Sequence, residues 1–421
     1  MTTLWQETFA ALRHRNFRLF FSGQAVSLLG SWMQSVALSW LVLVLTNSAL
    51  HLGLVGALQT LPTLLFSFWG GVVADRSNKH RLLFITQGGL MLVALVLGLL
   101  VAWDKINIYL LCGLVFLAGL AFAFDIPVRQ AFIVELVGKE DLPNAIALNS
   151  TLFNGTRVLG PALAGLLIAW VGMANCFLFN AVSFLAVLLA LAGMRLPPPE
   201  PRPSLSFGDA LRELRQFLRE HQEVKLILAL LTLVAVLGHP FYVILPILAR
   251  DVLGAGPQGF GMLMAASGLG AFCGGLTLAR RLRRRPPMPS FLWGIAIFLA
   301  GLLGLSLCRH YYVALFFIFL VGVGTVQQLS TGNSLLQLNA PDTLRGRIMS
   351  LFGLIIIGSM PLGSLLYGTA AHYLGAGPSL SLGGLVAGAG AGFILLRYPH
   401  LKKLDFGGLR ATASEKLSLG E

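Results

Sequence analysis

The chain has 421 residues, of which 56% are hydrophobic and only 11% are charged, and its formal net charge is +13. A typical soluble domain carries about 25% charged residues, so this composition excludes an ordinary soluble protein. Apolar runs of about 20 residues recur along the whole chain, and each is long enough to cross the hydrocarbon core of a bilayer as a helix. We therefore predict an all-α membrane protein, because in lipid a helix satisfies every backbone hydrogen bond internally.

Twelve transmembrane helices are predicted, six on each side of a polar central segment. This gives an N-terminal six-helix bundle over residues 1–194, a cytoplasmic linker with an amphipathic helix over 195–223, a C-terminal six-helix bundle over 224–398 and a cytoplasmic tail over 399–421. The predicted spans are 17–46, 50–74, 82–102, 108–126, 144–170, 174–194, 224–249, 257–280, 289–308, 311–336, 348–372 and 376–397. The N-terminal segment is polar, and the apolar stretch after it is too long for the core of a cleavable signal peptide.

The positive charge is distributed unevenly between the two sides of the predicted membrane. Of the 30 Lys and Arg residues, 26 lie on the side of the N terminus, and only Lys105, Arg250 and Arg309 lie on the other. Cytoplasmic loops carry the excess of Lys and Arg, so both termini are predicted to be cytoplasmic. The excess of Lys and Arg over Asp and Glu is thus explained by membrane orientation, and no nucleic-acid partner is expected.

The loop between the second and third spans contains Gly71, Asp75, Arg76 and Lys79 in the stretch GGVVADRSNKHR. The small residue favours close helix packing, and the carboxylate lies where a helix reaches the membrane surface. A carboxylate at such a position can cap a neighbouring helix or pair with a basic side chain. We expect this cluster to hold one conformation of the protein closed.

The fifth span carries an arginine, Arg157, inside an apolar run. A charge at mid-helix costs roughly 2.5–3.5 kcal/mol on insertion scales, so such residues usually face a bundle interior or a wet cavity. Asn154, Arg157 and Pro161 follow helical spacing and share one helix face. Two interpretations remain open. Arg157 either binds an anionic or carbonyl-rich substrate through its guanidinium group, or it holds helices together.

Further polar side chains lie on several spans and are candidates for contacting a substrate. Each of them is about as well explained as a hydrogen bond between packed helices. In addition to Arg157 and Asn154, the candidate substrate-binding residues are Gln34, Gln59, His239, Tyr242, Gln328 and Thr331.

Glycines repeat between the two halves of the chain. Gly155, Gly160, Gly165 and Gly172 recur 203 residues later as Gly358, Gly363, Gly368 and Gly375. Two parallel six-helix repeats are typical of alternating-access transporters, whose binding site lies between the halves near the middle of the membrane.

On these residues the chain resembles the major facilitator superfamily over essentially its full length. The signature of that family is G-x-x-x-D-[RK]-x-G-[RK]-[RK], and Gly71, Asp75, Arg76 and Lys79 match it, whereas Asn78 replaces the second glycine. The resemblance implies twelve helices in two pseudo-symmetric bundles. It also implies a conformational latch that holds the protein in the outward-open state, in which Lys79 pairs with an acid at the end of the fourth span. That acid is expected to be Asp125, with Arg129 joining the cluster.

The fifth span also resembles the family's antiporter signature, g-x-x-x-G-P-x-x-G-G. Gly160, Pro161 and Gly165 match its core, and Thr156 stands at the first glycine position. Other stretches, including DIPVRQAF, resemble the branch that holds enterobactin exporters, macrolide efflux pumps and lysophospholipid transporters. This resemblance implies a monomeric exporter in a bacterial inner membrane, with a small-molecule substrate and the lipid bilayer as its partners.

Acidic residues are missing from the predicted centres of the spans. The remaining candidates for proton coupling are Asp125 and His239, because coupling needs a titratable group that responds to access. Without carboxylates, the cavity is suited to neutral, amphipathic or anionic ligands better than to cationic ones. The cysteines Cys112, Cys176, Cys273 and Cys308 have no metal-binding spacing, so neither a metal nor another cofactor is expected.

The function predicted from the sequence is secondary active export of a small amphipathic organic molecule, siderophore-like or drug-like, by alternating access with proton antiport. One alternative is a translocator that moves lysophospholipid inwards, with Arg157 at the phosphate. A more remote alternative is a membrane-embedded enzyme, which would need His, Asp or Cys side chains clustered at one depth. No phosphate-binding G-x-x-x-x-G-K-[ST] loop is present, so no ATP site is expected.

Overall fold

The computed structural model describes residues 9–138, 140–194, 207–282, 286–341 and 344–403. In this part of the chain, twelve helices are long and apolar enough to cross a membrane, as predicted. A thirteenth helix, α7, connects the sixth and seventh of them. The helices are α1 (Arg15–Thr46), α2 (Ala49–Arg76), α3 (Lys79–Ala102), α4 (Ile108–Val137), α5 (Leu142–Val171), α6 (Met173–Ala192), α7 (Phe207–Glu220), α8 (Gln222–Leu237), α9 (Pro257–Arg281), α10 (Pro287–Leu307), α11 (Tyr311–Asn339), α12 (Arg345–Leu374) and α13 (Ala376–Arg397).

Helix α4 is longer than predicted. The sequence placed its end at residue 126, before Pro127, but the helix continues for three turns to Val137. Proline is tolerated inside transmembrane helices because neighbouring groups satisfy the freed carbonyl. The helix ends at Gly138, whose φ of 72° few other residues adopt. As a result, Asp125 lies inside the helix rather than at its end.

The seventh span is not one continuous helix. Helix α8 ends at Leu237 and is followed by a 3-10 turn over His239–Val243 and a π turn over Leu248–Val252. Pro240 and Pro246 cannot donate backbone hydrogen bonds, which explains the interruptions. The break places His239 and Tyr242 on irregular backbone in the middle of the span.

Side-chain caps begin three of the helices. Ser48 accepts a hydrogen bond from the backbone N–H of His51 at 3.5 Å, and Asn107 accepts one from Leu110 at 3.0 Å. Asn78 accepts one from Arg81 at 3.1 Å and so caps α3. The cap gives a physical reason for Asn78 to stand where the family signature has glycine, because asparagine is among the strongest N-cap residues.

The two halves of the chain meet at one end of the bundle. We call the end that carries residues 9 and 403 the termini face and the opposite end the far face. Near the far face, α2 packs along α12 so closely that a Cβ at Gly53 would lie 2.8 Å from the Cα of Gly368. In the same region α5 packs along α9, and the rings of Trp40 and Phe260 stack with their centroids 6.0 Å apart. The far face is therefore closed.

Towards the termini face the halves separate. A Cβ at Gly71 of α2 or Gly353 of α12 would meet no atom within 4 Å. The same helices that touch near the far face thus stand apart nearer the termini face. The result is a cleft between the halves that opens towards the termini face and closes at mid-membrane.

The linker helix α7 lies against the second half. The side chain of Phe217 is buried, and its ring stacks on His221 with centroids 4.0 Å apart. Glu213 pairs with Arg347 at the start of α12. Residues 195–206 and 404–421 and the side chains of Leu211 and Leu214, on which the linker and tail predictions also depend, lie outside the described residues.

Candidate functional site

Arg157 lies at the middle of α5 and contacts the other half of the chain. Its Nη2 donates a hydrogen bond to the hydroxyl of Tyr242 at 2.8 Å. That hydroxyl also contacts Oγ of Ser267, in α9, at 2.8 Å. The three side chains form a hydrogen-bonded bridge between α5 of the first half and two elements of the second half. We call it the Arg157 bridge.

The Arg157 bridge lies where the closed part of the interface meets the open part. On the far-face side, a Cβ at Gly268 of α9 would lie 2.7 Å from the carbonyl oxygen of Arg157, so the two backbones touch there. On the termini-face side, one turn earlier on the same face of α5, the hydrogen bond between Asn154 and Ser150 is exposed. Arg157 therefore stands at the closed inner end of the cleft.

Among the described residues, no Asp or Glu pairs with Arg157. One of its donors is taken by Tyr242, and none of its nitrogens is both buried and without a partner. The remaining donors are therefore accessible to a ligand. A guanidinium group of this kind can form two parallel hydrogen bonds with a carboxylate, a phosphate or paired carbonyl oxygens.

The other predicted residues of the first half lie at different depths from Arg157. Asn154 donates a hydrogen bond to the carbonyl oxygen of Ser150 in its own helix at 2.8 Å. Gln34 accepts one from Asn180 at 2.8 Å, which joins α1 to α6. Gln59, on α2, is half-buried. Of these residues, Asn154 lies one turn from Arg157 on the open side of the cleft.

The predicted residues of the second half form a buried cluster away from the cleft. Nε2 of His239 and the side-chain amide of Gln328 lie 3.1 Å apart, and the imidazole packs edge-on against the ring of Phe298. Gln328 and Thr331 are fully buried. The carbonyl oxygen of Gln328 and the hydroxyl of Thr331 have no hydrogen-bond partner. In this conformation His239, Gln328 and Thr331 are covered by the second half, and only Tyr242 reaches the interface.

Asp125 is fully buried in the first half. Its Oδ1 accepts hydrogen bonds from Thr86 at 2.9 Å and from Gln87 at 2.7 Å, and its Oδ2 pairs with Arg129. Arg129 in turn donates to the side chain of Gln24 at 3.2 Å. This Asp125 cluster therefore joins α1, α3 and α4. Buried polar atoms of Gln24, Gln87 and Arg129 still lack partners.

The partner of Lys79 differs from the one expected. Its ammonium group pairs with Glu135 at 2.6 Å, whereas Asp125 pairs with Arg129. Because α4 extends to Val137, Glu135 is the acid at its end, and Asp125 lies nearly three turns away. The expected Lys79–Asp125 pair is thus absent, and a Lys79–Glu135 pair takes its place. The side chains of Asp75 and Arg76 lie outside the described residues.

The chain matches a known family over nearly its whole length. Residues 6–417 match the family of major facilitator proteins described as "Transmembrane secretion effector". The Staphyloferrin A transporter of Staphylococcus aureus is 30% identical over 87% of this chain and 92% of its own length. The chain belongs to the major facilitator superfamily.

Two further relatives and a solved structure support this assignment. The Multidrug efflux pump Tap of Mycolicibacterium fortuitum is 29% identical over 89% of this chain and 94% of its own. The Enterobactin exporter EntS of Shigella flexneri is 29% identical over 80% of this chain and 81% of its own. A bacterial homologue of the lysosomal transporter Spinster, solved in an inward-facing conformation, has a TM-score of 0.73 at 14% identity, with 93% of this chain and 98% of that one covered.

These findings confirm the predicted family, branch and twelve-helix fold. Major facilitator proteins are transporters and not enzymes, so this chain is a multi-pass membrane transporter. Within the described residues, no three His, Cys, Asp or Glu side chains lie close enough to hold a metal ion.

The glycines of the antiporter-type motif lie at helix contacts. Gly160, beside Pro161, leaves room for Trp32 of α1. A Cβ at Gly165 would lie 3.0 Å from the Cα of Gln258 in α9, across the interface between the halves. The motif thus allows α5 to approach its neighbours closely on the closed side of the cleft.

Sequence reasoning missed Ser267 and Glu135. Ser267 is one small residue in an apolar, glycine-rich helix, and nothing local distinguishes it from a packing residue. Glu135 had a usable signal, because residues 131–137 continue the apolar pattern of α4 beyond Pro127. Reading the helix through the proline would have identified it as the terminal acid.

Proposed function

We propose that the protein exports a small amphipathic organic molecule, siderophore-like or drug-like, across a bacterial inner membrane by alternating access coupled to proton antiport. In this proposal the termini face is cytoplasmic, the protein acts as a monomer, and the two predicted six-helix bundles move against each other. The observation that carries the proposal is the unpaired cation of Arg157 at the closed end of the cleft. The export activities named for two of the relatives support it.

Arg157 would bind the substrate, and this binding would change the contact between the two halves. In the structure its guanidinium group is held by Tyr242, and the bridge links the halves. A carboxylate, phenolate or paired carbonyl group of the substrate forms stronger hydrogen bonds with arginine than a neutral hydroxyl does. A substrate in the cleft would therefore displace Tyr242. Loss of the bridge would remove one of the interactions that keep the far face closed.

Proton coupling is assigned to the Asp125 cluster. Protonation of the carboxyl group would remove its charge-assisted bond to Arg129, and Arg129 would then depend on Gln24 of α1 alone. Since α1 also carries Trp40 at the far-face contact, the cluster can link protonation to the position of α1. His239, buried in the second half, is the other candidate for the coupling group.

Ligand-induced thermal stabilisation of the purified protein tests the substrate class. The panel holds a carboxylate siderophore, a catecholate siderophore, a macrolide, a cationic dye and a lysophospholipid, because a ligand stabilises the state that it binds. We expect stabilisation by an anionic siderophore or a macrolide. That stabilisation should be lost in Arg157→Gln and kept in Arg309→Gln, which removes a charge from the far-face loop before α11. Stabilisation by lysophospholipid alone would favour the translocator instead.

Asp125→Asn tests the coupling group. The amide preserves the size of the side chain but carries no negative charge and cannot release a proton. We expect substrate exchange in proteoliposomes to continue while transport driven by a pH gradient is lost. Asp104→Asn, in the loop after α3, is the matched control, because asparagine tolerates the positive φ of 53° at that position. Unchanged gradient-driven transport in a folded Asp125→Asn protein would transfer the role to His239.

A further inference from the structure

A groove opens on the outside of the second half, at the termini face, away from the cleft. Helices α9 and α10 are consecutive in the chain, and both pack against α11. Between the end of α9 and the start of α10 lies a groove of about 550 Å³. Its lining residues are Arg281, Pro286, Pro289, Ser290, Trp293 and Ile297.

The arginines at the mouth of this groove lie in a stretch of the sequence that has no acidic residue. Arg280 and Arg281 end α9, and the sequence continues with three more arginines at 283–285. The sequence contains no Asp or Glu between Asp251 and Asp342. The equivalent loop of the first half carries Asp75, whereas Ala279 stands at that place here. Among its lining residues, the groove therefore offers a cation and no carboxylate to a ligand.

The hydrogen-bond donors that this groove can offer to a ligand are mainly side-chain groups. Three prolines, at 286, 287 and 289, remove backbone N–H donors from the first turn of α10. Ser290 lies next to them, within the groove lining, and is 5% exposed. Arg281 and Ser290 thus add a cation and a hydroxyl to the groove lining, and both groups can donate hydrogen bonds to a phosphate group.

The other end of the groove is apolar and faces the bilayer. Trp293 is 60% exposed and lies six residues into α10, roughly 9 Å from Pro287 at 1.5 Å per residue. Tryptophan is enriched at the level of the lipid headgroups. Ile297 continues the same helix face one turn deeper. The groove thus changes from basic to apolar along the membrane normal, as a phospholipid changes from headgroup to acyl chain.

We propose that this groove binds an anionic phospholipid of the leaflet at the termini face. Arg281 and Ser290 hold the headgroup phosphate, Trp293 packs against the glycerol backbone, and an acyl chain follows Ile297. A soluble phosphate ion uses only the basic edge and leaves the apolar part of the groove empty. Basic pockets between transmembrane helices are a recurring form of lipid headgroup recognition.

Native mass spectrometry of the detergent-purified full chain tests this site, with phosphatidylglycerol and phosphatidylcholine added at equal concentrations. We expect the wild-type protein to bind phosphatidylglycerol. The affinity for this lipid should be about fivefold lower in Arg281→Gln, because one basic residue near a lipid surface contributes about that much. Trp293→Leu, which leaves every charge in place, should also lower this affinity. Arg81→Gln is the matched control, because Arg81 is exposed in the first turn of α3, next to the corresponding helix connection of the first half.

Three results would overturn the proposal. Equal binding of the two lipids would show that the groove does not select charge. Displacement of the lipid by millimolar inorganic phosphate or glycerol phosphate would identify a site for soluble anions. Unchanged phosphatidylglycerol binding in both Arg281→Gln and Trp293→Leu would show that the lipid binds elsewhere. If Arg281→Gln fails to fold, Ser290→Ala and Trp293→Leu provide the same comparison.

Discussion

Gly53→Ala should open the far face. In the structure a Cβ at Gly53 would lie 2.6 Å from the carbonyl oxygen of Ser364 and 2.8 Å from the Cα of Gly368. Both neighbours are backbone atoms of α12, so a rotamer change cannot relieve the clash. The two helices would have to move apart by about 0.8 Å to reach ordinary contact at 3.4 Å.

The size of the effect follows from the cost of overpacking. Inserting one methyl group into a packed interface costs about 1–3 kcal/mol, which corresponds to a population shift of roughly 5- to 150-fold. The cost falls only on the conformation in which α2 and α12 touch. Gly53→Ala therefore shifts the equilibrium towards a state that is open at the far face, and transport slows because the return to the closed state is impaired.

Pulsed electron–electron distance measurements can follow this shift. Spin labels at Lys105 and Arg309, in a protein whose four native cysteines are replaced by alanine, report the separation of the halves at the far face. We expect a second, longer distance in Gly53→Ala. Gly88→Ala is the matched control, because a Cβ there meets no atom within 4 Å. An unchanged distance distribution with unchanged transport would refute the idea that the Gly53 contact closes the far face.

The remaining predictions concern single contacts. Asn78→Ala should lower the free energy of unfolding by about 1 kcal/mol through loss of the cap, while Asn78→Gly loses only a few tenths, as thermal unfolding in detergent would show. Lys79→Glu and Glu135→Lys should each lower the melting temperature, and the double variant should recover part of the loss; simple additivity would contradict a direct ion pair. Tyr242→Phe should raise the far-face-open population about fivefold by removing the bridge, and an unchanged distance distribution would count against that role.

Much of the fold could be predicted because the bilayer imposes a strong constraint. Twelve apolar stretches, their order and the break at the central linker follow from composition and length alone. The errors in helix bounds lay at prolines. Pro127 suggested an end that neighbouring helices make unnecessary, and Gly238 with Pro240 broke a span that hydropathy shows as continuous.

The candidate site could be predicted only in part. Arg157 is conspicuous because a mid-membrane charge is expensive, and Tyr242 was named separately as a candidate substrate-binding residue. Their contact could not be foreseen, because it joins side chains 85 residues apart through the relative position of the two halves. His239 and Gln328 were also named as candidates, but they contact each other inside the second half. A polar stripe on a helix does not reveal whether it faces a cleft or a neighbouring helix.

The most direct test of the proposed mechanism is transport in proteoliposomes under an imposed pH gradient. The substrate is whichever panel ligand stabilises the purified protein, and the variants are wild type, Arg157→Gln and Arg309→Gln. We predict gradient-dependent substrate movement in wild type and Arg309→Gln, and none in Arg157→Gln. Gradient-dependent movement at the wild-type rate in a folded Arg157→Gln protein would contradict the central claim that the cation at the closed end of the cleft carries substrate recognition.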